Sequence, residues 1–498
     1  DAFHDKIASL KFLDPACGCG NFLIITYREL RLLELEVLRM KINTAQRLLD
    51  VSSMLKVNVS QFYGIEYEDF PCQIAQVGMW LMDHQMNLLV ADQFGTYYVR
   101  LPLKQSATIV HDNALRIDWN KVVLTEELSY ILGNPPFVGA RIMSTEQKAD
   151  LRHVFGSVKN VGNLDYVCCW YKKAVGVMQK NRNIATAFVS TNSISQGEQV
   201  SILWKPFFEK GVFINFAYRT FKWNNEAKGK AAVHCVIIGF GMIANNDKFI
   251  VDGDICSHVE NINGYLVGAQ NICIGSRRKP LCDIPKIGIG NKPIDGGYYL
   301  FTEDEKNSFI AKEPASKEYF KKWVGSDEFI NGKIRYCLWL GDCEPADLKN
   351  MPECLKRVEA VRKYRLASKS RPTRKLADKP RRFHVENMPK EDYIVIPKVS
   401  SESRYYIPIG LLSANTISSD LLFIIQSKSL YDFGILTSAV HNCWMRSIAG
   451  RLKSDYRYSK EIVYNNFPWP EANKKQQEKI AKLAQAVLDA RKQFPGSS

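Results

Sequence analysis

The residues best suited to chemistry fall in four short groups, each closing an apolar run. The first is Asp14-Pro15-Ala16-Cys17-Gly18-Cys19-Gly20. Two glycines in a tight turn after a strand let the backbone approach a ligand, with the N-terminus of the next helix facing it. A dinucleotide-binding turn would carry a third glycine three residues after Gly20, where Leu23 stands. A Walker loop would end in Gly-Lys-Ser/Thr, and this turn does not. It therefore suits a nucleoside-type ligand without a pyrophosphate. The second group ends in Glu66, after FYGI; an acid there can accept hydrogen bonds from both ribose hydroxyls. The third is Asp112-Asn113, after ATIVH, and the fourth is Asn134-Pro135-Pro136-Phe137, after Tyr130 to Leu132. Taken without a fold, plain strand-end capping is the lesser reading of Glu66 and Asp112.

The elements that must position these groups follow from the pattern around them. Leu10 to Leu13 reads as a short strand, followed by the turn and a long helical pattern through Met40. A second strand begins near Val57. The long interval between Gly20 and Glu66 predicts an added helix around Thr44 to Leu55. Four strands, each ending in a polar residue at the carboxyl edge, are how an open α/β sheet builds its site.

At 498 residues, the chain is long enough for two or three domains. The formal charge of +15 permits a polyanionic partner but does not choose between DNA, RNA and a membrane surface. Thirteen cysteines are scattered without a CxxC pair, as expected of reduced thiols in a cytosolic protein. No run of about eighteen apolar residues is present, and the first residues are not a signal peptide.

DPACGCGNFL followed by NPPF resembles the motif pair of amino-group DNA methyltransferases. Cofactor motif, catalytic motif and a long C-terminal region come in the order of the gamma class of adenine-N6 enzymes. Similarity continues through NLDYVCCWYKKA, AFVSTNSISQGEQV, FKWNNEAKGKAAVHCVIIGF and GRLKSDYRYSKEIVYNNFPWP. The chain thereby resembles the single-chain restriction-modification type represented by MmeI. The resemblance implies a Rossmann-like class I S-adenosylmethionine-dependent methyltransferase domain, expected over residues 1–245. An α+β DNA target-recognition domain is expected over 246–470, and the start of a C-terminal helical region over 471–498.

The resemblance also assigns roles. The Asn134 side-chain oxygen and the Pro135 carbonyl accept both hydrogens of an adenine amino group, drawing its nitrogen toward a tetrahedral, nucleophilic form. Pro136 helps to lock the turn. Phe137 stacks on the base once it is flipped out of the duplex, with Phe221 as second aromatic wall and Trp223 in reserve. For those two, a buried core position is the competing expectation. Asp14 and the backbone at Ala16, Gly18 and Gly20 hold the methionine end of the cofactor, Glu66 its ribose and Asp112 its adenine. The family usually has serine where Cys19 stands. The transfer needs no metal.

After about residue 245, short strands, Gly and Pro turns and basic runs replace the βα rhythm. Between Arg357 and Arg382, eleven Lys/Arg face two acids. A solvated face and phosphate contact are both open to such a run. Arg371, Arg374, Lys375, Arg381 and Arg382 are the candidates, and Arg451, Lys453, Arg457 and Tyr458 form a second group. SSESRYYIP resembles the family's recognition stretch and places Glu402 and Arg404 where an acid and a base read a base pair; a surface ion pair is the alternative. Glu471 to Gln493 is expected as an amphipathic helix.

The expected activity is site-specific methylation of adenine N6 in double-stranded DNA, within a bacterial, cytoplasmic restriction-modification system. An N-terminal nuclease domain outside this chain is an expected partner. Methylation of RNA amino groups, cytosine-N4 specificity, and a recognition module for a nuclease elsewhere are the rivals.

Overall fold

The computed structural model describes residues 1–41, 54–94, 106–223 and 233–494. The chain divides into two compact units, Asp1–Gly275 and Ser276–Ser498.

In the first unit, α1 (Ala2–Ser9) leads into β1 (Phe12–Asp14), α2 (Asn21–Lys41), β2 (Phe62–Glu66), α3 (Asp69–Phe94), β3 (Thr108–His111) and β4 (Tyr130–Gly133). There follow α4 (Thr145–Phe155), α5 (Cys168–Met178), β5 (Ala185–Thr191), α6 (Gly197–Glu209), β6 (Phe213–Trp223), β7 (Val233–Gly241), β8 (Lys248–Asp252) and β9 (Ile255–Val259). The strands form one nine-stranded sheet in the order β3-β2-β1-β4-β5-β7-β6-β8-β9. Strands β1 to β5 are parallel, and β7 runs antiparallel between β5 and β6. The strand order reverses between β1 and β4, which is where an open sheet of this kind leaves a crevice for its ligand.

Several expected bounds shift by a few residues. The first strand starts at Phe12, and β2 starts at Phe62 because Val59–Gln61 form a 3-10 turn capped by Asn58. Most of the helix expected around Thr44 to Leu55 lies outside the described residues. Strands β8 and β9 lie beyond residue 245 yet extend this sheet, since Phe216 to Tyr218 pair in parallel with Phe249 to Val251.

Helices α2 and α3 carry a buried polar network that apolar periodicity does not announce. Arg31 is fully buried and reaches Asp83 (3.2 Å), Asn87 (3.1 Å) and the Tyr27 hydroxyl (2.8 Å). Glu34 accepts from the backbone N–H of Lys56 and Val57 and faces the His4 ring at 2.9 Å. Each charge has a partner, the condition under which a buried ion is tolerated.

The second unit begins with β10 (Ile287–Ile289), β11 (Leu300–Phe301), α7 (Glu303–Lys312), β12 (Phe320–Val324), α8 (Ser326–Asn331) and β13 (Arg335–Leu338). It continues through α9 (Pro345–Lys349), α10 (Pro352–Leu366), α11 (Arg371–Lys375), β14 (Tyr393–Pro397), β15 (Val399–Ser400), β16 (Gly410–Leu412), β17 (Thr416–Ser418) and β18 (Leu422–Ile425). It closes with α12 (Leu430–Thr437), α13 (Ala439–Ile448), β19 (Gly450–Leu452), β20 (Asp455–Arg457) and α14 (Lys474–Gln493). Three small sheets result: β10-β18-β14-β16, β11-β13-β12-β17 and β15-β20-β19. Helix α14 packs on α12, where Gly434 lets Ile480 and Ala484 approach and Arg491 donates to the Ile409 carbonyl.

His441 sits buried under this unit's C-terminal strands, with Nε2 3.0 Å from the Tyr458 hydroxyl. Burial holds its pKa down to about 4, against an ordinary value near 6.5. The unfolded chain therefore takes up this proton first, and stability falls as pH drops from about 6.5 toward 4. Thermal unfolding at pH 7.5 and pH 5 should show His441→Gln losing less stability on acidification than the wild type, which isolates this group from others that titrate in the same window.

Candidate active site

Strand β1 delivers Asp14 to the carboxyl edge with only 1% of its surface exposed. Its Oδ1 accepts the Ala16 N–H at 3.0 Å, curling the chain into the turn. The turn closes through Gly20 N–H to the Cys17 carbonyl (2.8 Å), and the Gly20 carbonyl then accepts the Ile24 N–H as α2 begins. Gly20 has φ +81°, and a Cβ there would lie 3.0 Å from that of Ala75 on α3, so glycine is required twice over.

Glu66, the last residue of β2, ties this turn to its neighbour. One carboxylate oxygen accepts the Gly18 N–H at 2.8 Å and the other the Glu68 N–H at 3.0 Å. Each oxygen keeps a lone pair for a further donor. Asp112, just beyond β3, is exposed and bonds through its N–H to the Glu66 carbonyl (2.9 Å). Asp14, Gly18, Glu66 and Asp112 thus belong to one continuous edge.

Gly133, at the end of β4, closes over Asp14: it has φ +155°, and a Cβ there would come within 2.4 Å of Asp14 Oδ1. Asn134 follows directly. Its Oδ1 is buried and accepts no hydrogen bond from the described residues, a rare condition for an amide oxygen. Phe137 is half-buried and packs against no other ring among the described residues. Phe221 and Trp223 end β6 opposite Cys235 and Val233, their ring centroids 6.2 Å apart; Phe221 is half-buried and Trp223 is 37% exposed. Neither is a core aromatic.

Two supports were not foreseen. Trp170 on α5 donates through Nε1 to the Pro15 carbonyl (2.9 Å), pinning the turn from the far side. Asp165, buried in the NLDY phrase, accepts the Ala140 N–H (3.1 Å) on one oxygen and the Thr191 (3.0 Å) and Ser193 hydroxyls on the other. The Tyr166 N–H donates to the Val138 carbonyl (2.9 Å). The loop after Phe137 is thereby held to the end of β5. A short acid-aromatic pair flanked by hydroxyl-rich phrases was the available signal, but it specifies no partner.

Burial pushes the Asp14 carboxyl up to about 7; the Ala16 N–H opposes this shift, and the nearby Glu66 carboxylate adds to it. Asp14 has no ion-pair partner among the described residues.

In the second unit, the basic residues divide. Arg374 donates to the Ser368 and Lys369 carbonyls, Arg381 to that of Cys343, and Arg382 pairs with Asp342 and Glu386. Arg371 and Lys375 are exposed, without hydrogen-bond or ion-pair partners among the described residues. Lys453 (φ +58°) tops the two-residue turn of the β19–β20 hairpin, and Arg457 is exposed on β20. Arg451 lies 3.9 Å over the Tyr456 ring and 3.6 Å from Glu402. Arg404 is half-buried. Tyr458 corrects an expectation: it is buried with its hydroxyl against His441, so it does not reach a phosphate.

The sheet order and the polar edge built on Asp14, Glu66 and Asn134 define a class I methyltransferase fold. Residues 1–252 match the family described as "MmeI, DNA-methyltransferase domain", and residues 268–471 match "MmeI, target recognition domain". The chain belongs to this MmeI family of DNA methyltransferases with target recognition domains. It is 42% identical over 496 residues to "DNA methyltransferase A" of Bacillus subtilis (strain 168), covering 99% of this chain and 56% of that protein. The chain thus spans little more than half the length of this curated relative. It is also similar to the type IIL restriction-modification enzyme MmeI, solved in complex with DNA, at 50% identity and a TM-score of 0.92, covering 99% of this chain and 67% of that one.

Proposed function

We propose that this chain moves a methyl group from S-adenosylmethionine to N6 of an adenine flipped out of double-stranded DNA, as the modification activity of a bacterial, cytoplasmic restriction-modification system. The observation that carries this reading is the buried Asn134 Oδ1, unpartnered among the described residues and one residue beyond the glycine that closes over Asp14. An exocyclic amino group supplies the missing donor. The Pro135 carbonyl takes its second hydrogen, and Phe137, which packs on no other ring among the described residues, offers a face to the base.

The residues fit the cofactor. The buried Asp14 carboxylate accepts the methionine ammonium, Glu66 has lone pairs left for ribose hydroxyls, and Asp112 is exposed to meet the adenine amino group. When bound, S-adenosylmethionine supplies an electrophilic methyl group on a sulfonium. The protein's contribution is alignment and exclusion of water. Arg371, Lys375, Lys453 and Arg457, exposed in the second unit, suit phosphate contacts, and Glu402 and Arg404 suit base readout.

Asp14 gives the proposal a pH signature. An ammonium beside the carboxylate pulls its pKa below the value near 7 of the free protein, so binding releases a proton. Affinity for sinefungin, an analogue carrying the same methionine ammonium, should tighten as pH rises from 5.5 to 7.5, and Asp14→Asn should flatten this dependence. In the ligand-free protein the sign is opposite: the raised pKa favours the folded state at low pH, and this contribution fades as pH rises from about 4 toward 7.

The functional test is transfer of tritiated methyl from S-adenosylmethionine to mixed-sequence duplex DNA and, in parallel, to total RNA. DNase-sensitive label supports the reading. RNase-sensitive label alone would assign the chain to RNA amino groups. No label, with cofactor and DNA both bound, would make it a recognition module.

A further inference from the structure

The STNSIS phrase that ends β5 has one buried polar side-chain atom without a hydrogen-bond partner among the described residues. Thr191 and Ser193 give their hydroxyls to Asp165, and Ser195 gives its own to the Asn192 carbonyl at 2.8 Å. Between them, Asn192 is only 8% exposed, yet its Nδ2 is buried without an acceptor among the described residues. A buried N–H without an acceptor is costly, and such groups call for an explanation when they persist.

Its position supplies one. Asp165 brackets Asn192 through both neighbouring hydroxyls and, through its other oxygen, holds Ala140 in the loop that follows Phe137. Thr191 is the last β5 residue paired with β7, opposite Cys235, which also faces Phe221 on β6. Asn192 thus stands one position past the carboxyl end of β5, as Asn134 stands one past the end of β4, and β4 and β5 are adjacent. His234, one position before Cys235 on β7, has a buried Nε2 that is likewise unpartnered. Three orphaned polar atoms therefore mark the ends of three successive strands.

We infer that Asn192 is a specificity-determining residue of the target-base pocket, whose Nδ2 donates to a ring nitrogen flanking the amino group held by Asn134. This rests on the reading of the chain as an adenine methyltransferase. In adenine, N1 and N7 lie on either side of the amino group at C6 and both accept. Guanine carries a hydrogen at N1 and an oxygen at C6, so a pocket with an acceptor at Asn134 and a donor at Asn192 selects adenine over it.

The test is single-turnover methyl transfer to mixed-sequence duplex DNA at saturating S-adenosylmethionine, for wild type, N192A and N192D, from pH 5.5 to 8. N192A is expected to slow transfer about 10- to 100-fold, with sinefungin and DNA affinities within about twofold. N192D is isosteric, so it remains informative if the cavity in N192A impairs folding. At pH 8 its carboxylate opposes a ring lone pair, and it should be slower than N192A. As pH falls, the carboxyl protonates and becomes a donor, so its rate relative to wild type should recover about fivefold or more. Failure of wild type to label DNA adenine would overturn the functional reading. An active wild type with both variants within twofold of it, or with N192D slow and no recovery at low pH, would overturn the role of Asn192 alone.

Discussion

Replacing Asn134 with alanine should slow methyl transfer about 10²- to 10³-fold, or about 3–4 kcal/mol of transition-state stabilisation. The acceptor matters because the amino nitrogen's lone pair is delocalised into the ring until both hydrogens are held. Stability should move the other way. Asn134 Oδ1 is buried without a partner among the described residues, so deleting it removes a desolvated group and should leave the melting temperature unchanged or higher. A slow variant that is no less stable separates chemistry from folding. Asn134→Asp keeps an oxygen that accepts, and its rate should fall between wild type and the alanine variant. Sinefungin and DNA affinities should stay within a few fold for both.

The second large effect concerns stability and comes from Arg365. It belongs to the basic run, but its guanidinium is buried and donates five hydrogen bonds to main-chain carbonyls: Pro293, Ile294, Leu376, Lys379 and Arg382. Three of those carbonyls lie in the stretch that carries Lys375, Arg381 and Arg382. Arg365→Met leaves the carbonyls unsatisfied in a desolvated pocket and should destabilise the second unit by about 3–5 kcal/mol, read by chemical denaturation. Arg365→Lys should rescue little, since one ammonium cannot reproduce a planar fork of donors. If the second unit's folding proves insensitive to both changes, this account of the guanidinium as an internal scaffold is wrong. Where Arg365→Met remains folded, DNA binding should still weaken, because the basic stretch loses its anchor.

The sequence and the structure agree most closely where local chemistry decides. The placement of Asp14, Glu66, Asp112 and Asn134 on one edge was legible because each ends an apolar run, with Gly18 and Gly20 in the turn after the first, and a parallel sheet gathers such ends. The supports of that edge were not legible. Asp165 and Trp170 act through partners 25 to 155 residues away in sequence, and neither periodicity nor composition encodes such pairings. The basic run shows the opposite failure. By charge alone, Arg365, Arg374, Arg381 and Lys375 look alike, but Arg365, Arg374 and Arg381 bond main-chain carbonyls and Lys375 is exposed. Tyr458 misled for the same reason, since a tyrosine in a basic hairpin reads equally as a phosphate ligand or as a core residue.

The central claim is the atom that receives the methyl group, and its most direct measurement is mass spectrometry of nucleosides from duplex DNA treated with this chain and S-adenosylmethionine. The account predicts N6-methyldeoxyadenosine in the wild-type reaction and its near absence with Asn134→Ala. A product confined to N4-methyldeoxycytidine or to a ring carbon would contradict it.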